Sequence, residues 1–261
     1  MRRSLIGLAV VVTVLVSVAT PRMAAQSPRA AAVAPCTTAT PQCTEWITIK
    51  GGPARSMVYT TYPLTKANAA ITRALIMVHG TNRNADHYFD TAKAAAFLAG
   101  AINDTVVISP RIASADGSCK DTLAANEVSY TCGGDSWKSG GNAVSNKDIS
   151  SFDFMDQILR TLADKKTFPN MTSIVVAGHS AGGQFANRYS MANKVHGTLG
   201  VNITYVVQLR VAGCRAGDAG RRCVAGECRG GVEDRGCAQG VHVWSRGRRE
   251  MRELQPVARR L

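Results

Sequence analysis

A chain of 261 residues, 45% of them hydrophobic, is long enough to bury one ordinary core. Lys and Arg number 31 against 18 Asp and Glu, a net charge of +13 that invites a nucleic-acid reading. Only 6% of the residues are aromatic and they do not alternate with the basic ones, so no base-stacking surface is encoded. The charge supports non-specific attraction to anionic surfaces, and no nucleic-acid partner is expected.

The amino terminus reads as an address. Arg2 and Arg3 precede an apolar run from Leu5 to Val18, shorter than a comfortable membrane span. Small residues at Ser17 and Ala19 permit cleavage after Ala19, and Ala25 is a second candidate. Residues 1–25 are therefore expected to be a signal peptide, leaving a secreted or periplasmic protein without a stable membrane span. Residues 26–43 form an Ala/Pro-rich linker ending in the pair Cys36 and Cys43. Export permits disulfides, and Cys36–Cys43 with Cys119–Cys132 is the simplest of the three pairings four cysteines allow. No C-x-x-C or H-x-x-x-H spacing occurs, so no metal site is expected.

Trp46–Ile49 and Met57–Tyr62 read as two strands, an antiparallel start to a sheet with a turn at Gly51-Gly52-Pro53. Ala74–Val78 is an apolar run of the length of a buried parallel strand, ended by His79-Gly80. A polar loop, Thr81 to Asp86, leads to a helix over about 85–99 with Phe89, Ala92, Ala96 and Phe97 on one face. Thr105–Ser109 is another buried strand, stopped by Pro110.

Arg111–Lys147 is long, polar and rich in Gly, Ser, Asp and Asn. A disulfide and Trp137 make it an ordered excursion near the site's edge, and its acids Asp116, Asp121 and Asp135 read as solvated turn residues. Ser150 then caps a helix, with Asp153 in a capping-box relation and Phe152, Met155, Leu159 and Leu162 facing a sheet. Sequons begin at Asn103, Asn170 and Asn202, each just before a strand; they count only in a source that glycosylates.

Gly178-His179-Ser180-Ala181-Gly182 is the most informative segment. It spells G-x-S-x-G after a β-type run, Thr172–Ala177, and before a helix over Gln184–Asn193 with Phe185, Tyr189 and Ala192 on one face. A serine hydroxyl is a poor nucleophile until a sharp turn holds it beside a base and an oxyanion site. The two glycines let the backbone make that turn, because a Cβ there would clash with the neighbouring strand or helix. Ile203–Val207 follows as another strand, and strands alternating with helices of this length argue a parallel α/β sheet.

With the upstream Ile76-Met77-Val78-His79-Gly80-Thr81 and the G-x-S-x-G segment together, the chain resembles the α/β-hydrolase family over roughly residues 44–209. The resemblance implies an α/β fold: a mostly parallel sheet flanked by helices. It implies Ser180 as nucleophile and the backbone N–H groups of Thr81 and Ala181 as the oxyanion hole, with no cofactor and no metal. The His79 side chain is read as a structural strand-end imidazole. The implied activity is hydrolysis of a small-molecule or polymeric carboxylic ester, nearer to esterases and polyester depolymerases than to peptidases.

The family order places an acid and then a histidine after the nucleophile. Here the pattern stops. Residues 210–261 hold 12 Arg, no Lys and 6 acids, and lack Ile, Phe, Tyr, Thr and Asn, which include the main strand-forming types. Val241–Trp244 is their one strand-like run. Two readings account for this segment: GC-rich coding DNA read out of frame after about Val207, which the abruptness favours, or a genuine Arg/Gly-rich basic tail.

Asp218 or Asp234 as acid and His242 as base have the right chain order but no family-like context. His196 follows the nucleophile helix too closely and reads as a surface or helix-end residue. Cys214, Cys223, Cys228 and Cys237 fit no common zinc spacing. The expectation is a fold incomplete at its carboxyl end and a hydrolase impaired for want of its acid and histidine. The competing class is a non-catalytic truncated product, or a secreted pseudoenzyme that acts by binding.

Overall fold

A hairpin opens the fold: β1 (Thr44–Thr48) pairs antiparallel with β2 (Arg55–Thr60) across the turn at Lys50–Pro53. The computed structural model describes residues 33–210, 239–245 and 252–253. The expected leader, Cys214, Cys223, Cys228, Cys237, Asp218 and Asp234 lie outside the described residues.

Apolar runs then alternate with helices. These are β3 (Arg73–Val78), α1 (Ala85–Leu98), β4 (Thr105–Pro110), α2 (Ser151–Ala163), β5 (Ser173–His179), α3 (Ala181–Ala192) and β6 (Asn202–Arg210). β7 (Gln239–Ser245) and β8 (Arg252–Glu253) complete a sheet of order β1-β2-β4-β3-β5-β6-β7-β8. The central four strands are parallel, and both flanks are antiparallel. Up to β6 the sheet is thus mostly parallel, as expected of a mixed α/β fold. The run Val241–Trp244 lies in β7, which returns antiparallel to β6 with His242 opposite Val207.

Strand alternation divides the core. Ile76, Val78, Ile174, Val176, Ile203, Tyr205 and Val207 share one cluster with Met155, Leu159, Leu162 and Phe185 of α2 and α3. Leu75, Met77 and Val107 join Phe89, Ala92 and Ala96 of α1 in another. Ser150 caps α2 through a complete capping box with Asp153.

Two expectations about helix faces are corrected. Phe97 is 69% exposed, because at about 100° per residue it stands roughly 80° round from Phe89, on the opposite side from Ala92 and Ala96. Ala192 is also exposed, and α3 begins at Ala181, three residues before the expected start, so its buried stripe runs through Gly182, Phe185, Ala186 and Tyr189. The three sequon asparagines are all exposed at the amino ends of β4, β5 and β6.

The excursion from Arg111 to Lys147 is ordered as expected. Backbone bonds from Arg55 N–H to Asn126 O and from Val128 N–H to Arg55 O staple it to β2. A short 3-10 turn at Trp137–Ser139 buries Trp137, whose carbonyl accepts from Ser151 Oγ at the start of α2. Asp121 is no solvated acid. It accepts from Arg111 and from the Ser114 N–H; burial opposes its ionisation, yet these bonds hold its carboxyl below the usual range. Cys36–Cys43 and Cys119–Cys132 are both bonded, each with Cα atoms 5.6 Å apart.

Candidate active site

Ser180 sits between the last residue of β5 and the first of α3. Its backbone is at φ 56°, ψ −120°, a conformation that L side chains rarely adopt and that persists only where surroundings impose it. The surroundings are specific. Ser180 N–H donates to Gln208 O of β6 at 3.0 Å, and Ser180 O accepts from Gln184 N–H at 3.0 Å.

A Cβ on Gly178 would stand 2.1 Å from Gly182 O. One on Gly182 would stand 2.2 Å from Val78 O and 2.6 Å from His79 O. Both clashes are with backbone, so β5, the first turn of α3 and the end of β3 touch without side chains between them. This is the physical content of the glycine spacing.

The end of β3 arrives at the same place. A Cβ on Gly80 would lie 3.8 Å from His179 O and 2.9 Å from the Tyr88 hydroxyl, which itself bonds His179 Nδ1 at 3.1 Å. Thr81, next in the turn, is exposed. Ala181 is the first residue of α3, where an N–H has no acceptor within the helix. Among the described residues no acceptor takes the N–H of Thr81 or of Ala181.

His79 is fully buried. Its Nε2 accepts from the Ile112 N–H at 3.1 Å, which leaves Nδ1 to carry the proton and donate to Gly80 O at 2.8 Å. Burial pushes this imidazole from its ordinary 6.5 down to about 4, against the opposing pull of the Gly80 carbonyl. It is a neutral strut, as the sequence suggested, and Trp137 packs on it with ring centroids 5.4 Å apart.

The other imidazoles whose side chains are described have partners of their own. His179 meets Tyr88, and His196 Nδ1 meets the Tyr205 hydroxyl at 3.2 Å. His87 is largely exposed, with Nε2 3.8 Å from Asp86. Among the described residues no hydrogen bond joins Ser180 Oγ to an imidazole. His242 is described only as backbone, opposite Val207 and so one position from Gln208. An open cleft of about 380 Å³ flanks the elbow on the α1 side, between Tyr88, His179, Met77 and Val206.

Reading by pattern missed Arg83, Tyr88 and Gln208. Each acts on this region through partners distant in sequence, and no local spacing announces them. Asp116 and Asp135 are loop residues as expected; Asp135 pairs with Lys138 and Arg188.

No protein-family model matches the chain, and no curated protein matches it. Solved structures overlap with part of it, three hydrolases among them. Poly(aspartic acid) hydrolase-1 from Sphingomonas sp. KT-1 is 22% identical, over 56% of this chain and 50% of that one, at a TM-score of 0.36. The siderophore hydrolase EstA from Aspergillus nidulans is 17% identical over 64% and 56% at 0.26. The siderophore hydrolase EstB from the same organism is 13% identical over 63% and 55% at 0.27. The chain thus spans 50–56% of the length of these proteins. Likeness at this level adds no argument about chemistry, which has to come from the elbow itself.

Proposed function

We propose that this chain carries the nucleophile half of an exported serine hydrolase for carboxylic esters. The observation that best supports this reading is the backbone of Ser180, held at φ 56°, ψ −120° between β5 and the start of α3. In this reading Ser180 Oγ attacks the ester carbonyl, its proton passes to a base, and the carbonyl oxygen becomes an oxyanion. The N–H groups of Thr81 and Ala181 receive that charge, each contributing about 3 kcal/mol as the charge develops. The base then returns the proton to the leaving alkoxide, and water repeats the sequence on the acyl-enzyme.

A second reading has its own support: the imidazoles of His79, His179 and His196 are committed to other partners. A chain with the elbow and no base retains only binding and oxyanion stabilisation, on the order of 10³–10⁴ over water in a triad enzyme. The register of β7 makes His242 the first position to test as a base. Hydrolysis of a short activated ester by the purified full chain, with Ser180→Ala and His242→Ala alongside, separates the readings. Turnover abolished by both substitutions supports an active hydrolase with a base from β7. Turnover at the uncatalysed rate and unchanged by Ser180→Ala overturns activity in this chain.

A further inference from the structure

Arg83 stands in the turn after β3 at φ 55°, and its N–H closes that turn on Gly80 O at 3.2 Å. Its guanidinium leaves the turn and enters the excursion. Nη1 donates to Ile112 O at 2.6 Å, while Nη2 donates to Thr131 O at 2.5 Å and Cys132 O at 3.3 Å. The group also lies 5.5 Å over the Trp137 ring. Ile112 is consequently held on both sides of its Cα, its N–H by His79 and its carbonyl by Arg83. The remaining acceptors belong to Cys132 and its neighbour, and Cys132 is one half of the Cys119–Cys132 disulfide.

We propose that Arg83 couples the thiol–disulfide state of Cys119–Cys132 to the order of the turn Gly80–Arg83 beside Ser180. The disulfide restricts the 119–132 segment and so presents the Thr131 and Cys132 carbonyls at fixed positions. Arg83, in a backbone conformation its side chain does not favour, is retained by those carbonyls. Reduction by an external dithiol adds two electrons and two protons, giving two cysteine thiols while the dithiol closes to its own disulfide.

The segment then gains conformational freedom, Nη2 loses its fixed acceptors, and the turn that carries Thr81 loosens. Both cysteines are half-buried beside the exposed residues Ser118 and Gly133, on a side that a small dithiol can approach. Coupling is reciprocal: whatever the disulfide does for the turn, the turn does for the disulfide. The inference concerns loop order and does not require Ser180 to turn over an ester.

Amide hydrogen exchange on the intact full chain tests it. Cys119→Ser/Cys132→Ser should raise exchange of the Arg83 N–H, which closes the turn on Gly80 O, by roughly tenfold, within the usual range of coupling. Cys36→Ser/Cys43→Ser should leave it unchanged. In the reciprocal arm, Arg83→Ala should shift the equilibrium of Cys119–Cys132 with dithiothreitol about tenfold towards the dithiol, with Cys36–Cys43 in the same molecule as the internal reference. Millimolar guanidinium ion should restore the wild-type equilibrium, and Arg83→Lys, which offers no planar fork, should not. Equal exchange of the Arg83 N–H in the two cysteine variants overturns the proposal. So does an equal shift of both disulfides in Arg83→Ala, which would be global loosening. If Arg83→Ala does not fold, the cysteine-variant arm decides with Arg83 intact.

Discussion

Replacing Gly182 by alanine sets two effects against each other. In a helix interior, Gly→Ala ordinarily stabilises by about 1 kcal/mol, because alanine has less backbone entropy to lose. At Gly182 the new methyl would stand 2.2 Å from Val78 O and 2.6 Å from His79 O. An ordinary contact is about 3.4–4 Å, so α3 and the end of β3 must part by about 1 Å. The atoms met are backbone and no flexible side chain can give way, so overpacking here costs about 3 kcal/mol. Steric exclusion wins, and Gly182→Ala should destabilise the fold by about 2 kcal/mol net. The assay is urea unfolding of the purified chain, read as a lower midpoint at unchanged slope. Gly197→Ala is the control: no atom lies within 4 Å of that Cβ, and the effect should stay within about 0.5 kcal/mol. A Gly182→Ala midpoint equal to or above wild type would refute the packing account of the elbow.

Ser180→Gly should be more stable than Ser180→Ala by about 1 kcal/mol, since glycine alone relieves φ 56°; equal midpoints would mean the turn stores no strain. His79 gives a pH signature. The unfolded chain takes up its proton near 6.5 and the folded one near 4, so the contribution is complete above 6.5 and falls by about 3 kcal/mol as pH drops from 6.5 to 4. Glu45 and Asp156, both raised by burial, act in the opposite sense, so the readout is the difference from His79→Gln, which should flatten the slope in that window. Identical slopes for the two proteins would sink the assignment. Tyr189→Phe removes the hydroxyl that donates to half-buried Asp156 at 2.5 Å and should cost about 1–3 kcal/mol; a smaller cost in an Asp156→Ala background, measured by a double-mutant cycle, checks that the loss belongs to the pair.

What the sequence made legible follows from the range of the forces involved. The elbow was readable because its determinant is steric and local: Gly178 meets Gly182 four residues on, and no other residue type fits. The central strands were readable as continuous apolar runs because a parallel strand is buried on both faces; in β4 every residue is buried. Helix ends were less so. Phe97 and Ala192 fit a loose apolar pattern but are exposed, outside the buried stripe of their helices. Asp121 looked like any loop acid until the fold brought Arg111 and the Ser114 N–H to it. Arg83 was invisible for the same reason, its acceptors being 29, 48 and 49 positions away.

The pairing of β3 with β5 also orders events in time. Arg73 lies beside Ser173, and the Thr172 hydroxyl donates to Thr72 O across 100 positions of chain, whereas the β1–β2 hairpin closes between Thr48 and Arg55. Closing the longer loop costs about 2 kcal/mol more in chain entropy, a penalty met before any contact across it forms. The hairpin is thus available early, while β3 waits for a partner that leaves the ribosome a hundred residues later. Until then the apolar edge of β3, with Ala74, Ile76 and Val78 destined for the core, has no neighbour on its β5 side. The elbow, which depends on that neighbour, is among the last features to form, and a nascent chain halted before residue 173 exposes a strand edge suited to aggregation.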